Sequence, residues 1–497
     1  MPMSAPIASD CWRGRRCAGR WTKRGRSGNI SPSAPRTATD QTMPHRLHAL
    51  LLSLLTLLLP TMSSAQPADA AATPVAQAAL PAPPGWLPAL DALYDAGIRV
   101  NGLEDRHFSP EQWWAVATPL ARDGAGFRTE LLGTSAEGRP LRHISWGTGD
   151  TSVLLWSQMH GDESTATMAI ADLFHFLGAH PDHPLVQRLR AGTTLHFMPI
   201  VNPDGAARFQ RRNAQGIDIN RDARALASPE ARALHGLRER LKPDFGFNLH
   251  DQDVGTRVGD SERGTAIALL APAYSQAREV DAPRQRAIEV AVAIRAVLEP
   301  YLAGYLAKWD DTFNPRAFGD LTAAAGVSTI LVESGGIEGD LQKQQLRKLN
   351  FLALVGALDA IASGSYAGLS RAPYDELPEN GDTWPDLRIL GAQLAVPGLP
   401  PVRTDVSIEF EDALLERKGK IEAIGDLGDE PARRTIDATG LYIVPFHPPG
   451  PTAGKGAPVF STDAPAYFHL SRDPEGRAVV WTLAGDVDPD RPSPAKP

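Results

Sequence analysis

The sequence predicts an α/β domain, with a mixed central sheet flanked by helices, followed by a small all-β C-terminal domain. Two observations predict the first part. Short apolar runs, "SVLLW" (152–156), "LHFMPIV" (195–201), "FGFNL" (245–249) and "TILVE" (329–333), have the length and continuity of buried strands. They alternate with longer stretches of helical character, "ESTATMAIADLFHFLGAH" (163–180) and "PRQRAIEVAVAIRAVLEPYLAGYL" (283–306). A third observation predicts the second part. Beyond a turn-rich stretch at 367–386, the pattern changes to closely spaced short segments: "RILGAQLAV", "DVSIEF", "KGKIEAIGDL", "RRTIDAT" and "GLYIVPF".

The N-terminal region reads as processing sequence. Residues 1–42 are rich in Arg, Gly and Ser and lack periodicity, and we read them as a non-native upstream extension with Met43 as the initiator. Residues 43–65 have the parts of a secretory signal peptide: Arg46, an apolar core from Leu47 to Leu59, and Ser63-Ser64-Ala65 before Gln66. That apolar core is too short for a comfortable membrane span. An Ala/Pro-rich linker follows at 66–85. Folded sequence is expected from Trp86, as an α/β domain over 86–367 and a β-rich module over 368–497.

Composition narrows the function. Hydrophobic content of 42% and charged content of 22% suit a globular domain. Both cysteines, Cys11 and Cys17, lie upstream of the signal, which leaves no disulfide or thiol chemistry to the mature chain. The upstream extension carries eight Lys/Arg and two Asp/Glu, so its loss together with Arg46 takes the formal charge from −8 to −15. An acidic chain without a basic run is not expected to bind nucleic acid or anionic membranes. The expected location is the periplasm or outside the cell, with no stable membrane anchor after signal cleavage.

Chemistry-bearing residues recur at the ends of the expected strands. "SQMHGDEST" (157–165) places His160 and Glu163 three residues apart, between a strand and a helix. A helical first turn there aims both side chains the same way. A neutral imidazole and a carboxylate are good zinc ligands, but with 13 His in the chain the pair alone is a weak signal. The alternative is a polar turn whose acids, Asp162 included, favour a helix N-terminus. His250, at the end of "FGFNLH", is a candidate third ligand, with Asp251 or Asp253 as a carboxylate for an imidazole N–H. "IVNPDGAARFQRRNAQGIDINRD" (200–222) turns at Asn-Pro-Asp-Gly and then gathers Arg208, Arg211, Arg212, Asn213, Asn220, Arg221 and Asp222. It is a solvated loop or a set of guanidinium groups that clamps a carboxylate and stabilises an oxyanion. Glu333 ends an apolar strand, where an acid is costly unless it bonds or works, for instance as a general base. All four pieces fall at strand C-termini, the edge where open α/β sheets build sites.

With these motifs in this order, residues 90–365 resemble the zinc carboxypeptidases, the M14 or carboxypeptidase A-like metallopeptidases. The family's His-x-x-Glu, distant His and later catalytic Glu match His160, Glu163, His250 and Glu333. Its Arg-x-Asn-Ala-x-Gly-x-Asp-x-Asn-Arg run matches "RRNAQGIDINR", and "TSAEGRPLRHISWG" (134–147) resembles its lead-in strand. The resemblance implies one zinc ion on His160, Glu163 and His250, with Glu333 as general base. It implies that Arg211 polarises the scissile carbonyl, and that Asn220 and Arg221 bind a terminal carboxylate. The implied activity is a metallocarboxypeptidase acting on peptides. A muropeptide amidase and an N-acyl amino acid hydrolase are alternatives on the same scaffold, and an inactive peptide-binding module is a third. Two departures stand out. Asp222 replaces a common Asn, and the window before Glu333 holds Phe313 and Phe318 but no tyrosine beyond Tyr305. Separately, "GKIEAIGDLGDEPARRTIDATGLYIVP" (419–445) resembles the small β-sandwich portion of amidohydrolases. Their barrel metal motif is missing, and only His447 follows, which makes this part an appendage and not a second active site.

Overall fold

The computed structural model describes residues 79–428, 431–447 and 460–484. The expected upstream extension, signal peptide and linker up to residue 78 lie outside the described residues. No helix among the described residues is long and apolar enough to cross a membrane.

The central sheet has eight strands in the order β1-β2-β4-β3-β5-β9-β7-β8. In chain order these are β1 (Phe127–Thr134), β2 (Pro140–Gly147), β3 (Thr151–Ser157), β4 (Thr193–Met198), β5 (Phe245–Asp251), β7 (Ile267–Leu270), β8 (Leu306–Lys308) and β9 (Ser328–Ser334), with β6 (Thr256–Val258) outside the sheet. Its middle is parallel: β3 pairs with β4 and β5, and β5 with β9. Antiparallel pairs β1–β2, β2–β4 and β7–β9 flank it, which makes the sheet mixed. Helices fill both faces, so the parallel strands bury both sides and read as continuous apolar runs. Along β3, Val153 and Leu155 join one core while Leu154 and Trp156 join another. Each fully buried side chain of this kind stabilises the fold by roughly 1.5–3 kcal/mol.

The expected helices form as Thr165–Ala179 and Ala282–Leu302. Leucines, Phe174 and Phe176 of the first pack against the sheet. The helix carries one fully buried acid, Asp172, which meets Arg347 of the helix Gln344–Ser363 with neither side chain exposed. Arg347 Nη2 and Nε donate to the two carboxylate oxygens at 2.6 and 2.7 Å. Tyr94 Oη and the Val100 N–H donate to the same carboxylate, and Arg347 also reaches the carbonyls of Val100 and Leu103. The pair thus ties the segment 94–103 to two helices, with its hydrogen-bonding capacity largely used.

A second sheet forms downstream. Its strands are β11 (Leu387–Leu394), β12 (Val402–Asp412), β13 (Arg417–Gly425), β14 (Arg434–Asp437), β15 (Tyr442–Pro445), β16 (Tyr467–Ser471) and β17 (Val479–Ala484). They run β13-β12-β11-β15-β16-β17, with β14 alongside β11. Leu387, Ile408, Ile443, Phe468 and Leu483 belong to its separate core. One strand, β10 (Asn380–Thr383), instead pairs with β6 of the first part.

Removing one partner of a satisfied buried ion pair strands the other charge in the interior. Arg347→Ala is therefore expected to lower stability by about 3–5 kcal/mol. Urea denaturation of the two proteins measures this, and a loss of under about 1 kcal/mol would contradict the role assigned to the pair.

Candidate metal centre and substrate cleft

The parallel strands β4, β3, β5 and β9 are neighbours and point the same way, so their C-terminal ends form one rim. His160 follows β3, the arginine-rich loop follows β4, His250 lies in β5, and Glu333 lies in β9. His250 and Glu333 are register partners on adjacent strands.

His160 and Glu163 do not sit on a helical turn as the sequence suggests. The helix begins at Thr165, and the pair occupies the preceding turn, closed by the Glu163 N–H on the His160 carbonyl at 3.2 Å. A turn of this span brings residues three apart together as a helix would, so the convergence survives. The turn is tightly seated. Gln158 has a φ of 52° and Ile200, two residues past the end of β4, a φ of 51°. Left-handed backbone at a β-branched residue costs on the order of 1–3 kcal/mol and tends to gather at working sites. A Cβ on Gly161 would stand 2.0 Å from the Gly205 carbonyl carbon, so the turn at Gly161 and the Asn-Pro-Asp-Gly turn touch through bare backbone.

Two imidazoles and a carboxylate converge there. The ligand atoms of His160, Glu163 and His250 lie within 4.8 Å of one another. His160 Nδ1 stands 2.7 Å from Glu163 Oε1, and His250 Nδ1 2.6 Å from Oε2. All three are buried, at 3%, 9% and 2% exposure. Burial would raise the Glu163 carboxyl, but the two histidines hold it well below the usual carboxylate range. His250 is pushed down chiefly by burial, toward the neutral form that ligates metals.

His160 Nε2 lies 3.2 Å from Asp218 Oδ1, the imidazole–carboxylate contact that orients metal-binding histidines. Sequence reading placed this role on Asp251 or Asp253 and missed Asp218. Asp251 follows His250 in a strand, and successive side chains point to opposite faces. Its Oδ2 instead accepts from Thr165 Oγ1 at 2.6 Å and Lys343 Nζ at 3.0 Å. The signal for Asp218 was faint: an acid between two isoleucines, in a loop bound for the strand-end rim.

Arg211 faces the same focus. Its Nη1 is 3.0 Å from His160 Nδ1 and 3.5 Å from Glu163 Oε1, and its Nε donates to Asp218 Oδ2 at 3.1 Å. Asn202, the asparagine of the Asn-Pro-Asp-Gly turn, donates to the Arg211 carbonyl at 3.1 Å and fixes that part of the loop. Glu333 is 7% exposed, and its Oε2 is buried with no hydrogen-bond partner. Burial first, then Glu163 and Asp251, push its carboxyl well above the usual range. The donor set fits zinc: two nitrogens, one carboxylate, an orienting acid and an excess of buried negative charge. Arg211 lies where that charge draws a cation.

The remaining expected residues divide. Asn220 Nδ2 is 3.4 Å from His250 Nε2, and its Oδ1 accepts from the Phe318 N–H at 2.9 Å. Arg221 Nη1 donates to the Asn220 carbonyl at 2.8 Å. Asp222 turns away to hold the lead-in to the helix Pro229–Leu241, accepting from the Ala227 N–H and from both the N–H and Oγ of its N-cap, Ser228. An asparagine has only one oxygen for those three donors, which accounts for the acid here. Phe318 is fully buried in an apolar core and does not replace a capping tyrosine. Arg212 and Asn213 serve the loop itself, Arg212 through the Gly216 carbonyl and Asn213 through Gln215, Ile217 and Glu230.

A family model for zinc carboxypeptidases (M14 peptidases) matches residues 121–242. An uncharacterized protein of Zymomonas mobilis is 28% identical over 143 residues, covering 28% of this chain and 37% of that protein. Carboxypeptidase 2 of Trichophyton rubrum is 27% identical over 150 residues, covering 28% of this chain and 26% of its own length. The chain thus spans well under half of the curated relatives it matches. Among solved structures, a metallo-carboxypeptidase from Burkholderia cenocepacia aligns over 52% of this chain and 70% of its own, at 17% identity and TM-score 0.41. Carboxypeptidase A from Helicoverpa armigera aligns over 56% and 80%, at 16% identity and TM-score 0.42.

If Asp218 orients His160, its replacement weakens metal binding without removing a ligand. Asp218→Ala is expected to lower zinc affinity by about 10- to 100-fold. Competition with a chromophoric chelator reads this directly, and unchanged affinity would remove Asp218 from the site.

Proposed function

We propose that this M14 zinc-carboxypeptidase-like chain is an exported metallocarboxypeptidase, which hydrolyses a peptide or amide bond next to a free C-terminal carboxylate. The observation that carries the reading is the meeting of His160, Glu163 and His250 at one strand-end rim, with Glu333 in register beside His250. Export rests on the signal-like sequence at 43–65.

His160, Glu163 and His250 would hold zinc, which when bound supplies Lewis-acid chemistry to a carbonyl and a water. Glu333 would take a proton from the attacking water and deliver it to the leaving nitrogen, a role supported by its unpaired oxygen at the same rim. Nearby positive charge offsets the burial that raises its carboxyl, so it serves as a base only beside a cation. Arg211, aimed at the donor focus, takes a share of the oxyanion's charge. Arg221 supplies a guanidinium for the substrate carboxylate, with Asn220 beside it.

Glu333→Gln keeps the shape and removes the base. It is expected to retain zinc and to lose hydrolysis of a blocked dipeptide by at least about 100-fold; turnover at the wild-type rate would overturn the mechanism. Arg221→Ala is expected to raise KM for substrates with a free C-terminus and to spare C-terminally amidated ones. An equal loss on both would remove Arg221 from carboxylate recognition. Activity on muropeptides without activity on blocked dipeptides would shift the substrate class to cell-wall peptides.

A further inference from the structure

We propose that the C-terminal sheet positions the Arg211 loop, acting through Asp412, the pair Arg106–His107 and the ring of Phe209. The inference builds on the role given to Arg211 above. Asp412 closes β12 and is 7% exposed. It reaches out of its own sheet: Arg106 Nη2 pairs with Oδ1, and His107 Nε2 lies 2.8 Å from Oδ2. These two cationic or polar groups then hold an aromatic ring. His107 stacks on Phe209 with centroids 3.6 Å apart and planes 19° apart, and the Arg106 guanidinium carbon sits 4.9 Å from the centroid.

Phe209 is an unusual anchor. Its φ of 46° is left-handed, a conformation that bulky residues rarely adopt. It belongs to none of the apolar cores found among the described residues, so the stack and not core packing holds its ring. Two residues on stands Arg211. The intervening backbone has little play, because the Gln210 N–H donates to the Gly205 carbonyl at 3.0 Å and Asn202 holds the Arg211 carbonyl. A clamp that served only to dock the module would suffice anywhere on the first domain. This one closes on the loop that aims a guanidinium at the metal centre, and misplacing such a group by an ångström can cost about 100-fold in rate.

The test uses the full chain and two readouts. Hydrogen exchange over residues 205–212 is compared between wild type, Asp412→Ala and the milder Phe209→Leu. Faster exchange in that window, with residues 151–157 unchanged, is expected for both variants; an unchanged window in both overturns the proposal, whether or not the chain proves to be a peptidase. Kinetics on a blocked dipeptide form the second readout. Asp412→Ala is expected to lower kcat by about tenfold or more with KM nearly constant. In an Arg211→Ala background the same change is expected to cost less than about twofold, because the two act as one unit. Equal cost in both backgrounds assigns Asp412 a merely structural role and overturns the proposal. A wild-type chain without hydrolysis on any substrate would refute the function reading, while the exchange result still decides the coupling.

Discussion

Parallel pairing of β4, β3, β5 and β9 is the constraint on which the rest depends. It sends four successive strands to the same edge, and each delivers one part of the centre just past or at its end. The β5–β9 register is the sharpest instance, because a slip of one residue would turn Glu333 to the opposite face from His250. The apolar cores on both faces of the sheet hold that register, so the site's geometry is paid for far from its chemistry.

The centre concentrates negative charge on side chains that are largely buried. Glu163, Asp218 and Glu333 are all buried, with Asp162 beside them. Burial first and then repulsion from Glu163 raise the Asp162 carboxyl to about 6, which His160, a backbone N–H and Arg211 only partly offset. Burial would also raise Asp218, yet His160, Arg211 and Arg221 hold it well below the usual range. Such an arrangement is expensive unless positive charge joins it, which is the electrostatic case for a divalent ion on the two imidazoles and Glu163.

Much of this was legible in the sequence. Val- and Leu-rich runs such as Ser152–Trp156 became buried parallel strands because both faces are covered, and apolar continuity reports that directly. His160, Glu163, His250 and Glu333 were visible as polar residues ending such runs. What stayed hidden was direction. Whether Asp218 or Asp251 meets an imidazole depends on which face each side chain takes, and Asp218 lies 58 residues from His160. The same holds for Asp222, which holds the N-cap Ser228 of a helix, and for Asp412, whose partners are about three hundred residues away. The last strands, β16 and β17, went unread because they begin with Tyr467 and Val479 in short segments among polar turns.

The most direct test of the central claim is metal analysis of the purified chain, coupled to hydrolysis of a blocked dipeptide before and after chelation. The account predicts zinc in about equimolar amount, activity lost when a chelator strips it, activity restored by zinc, and no zinc retained by a His250→Ala variant. Undiminished hydrolysis in the metal-free chain, or zinc retained equally without His250, would contradict it.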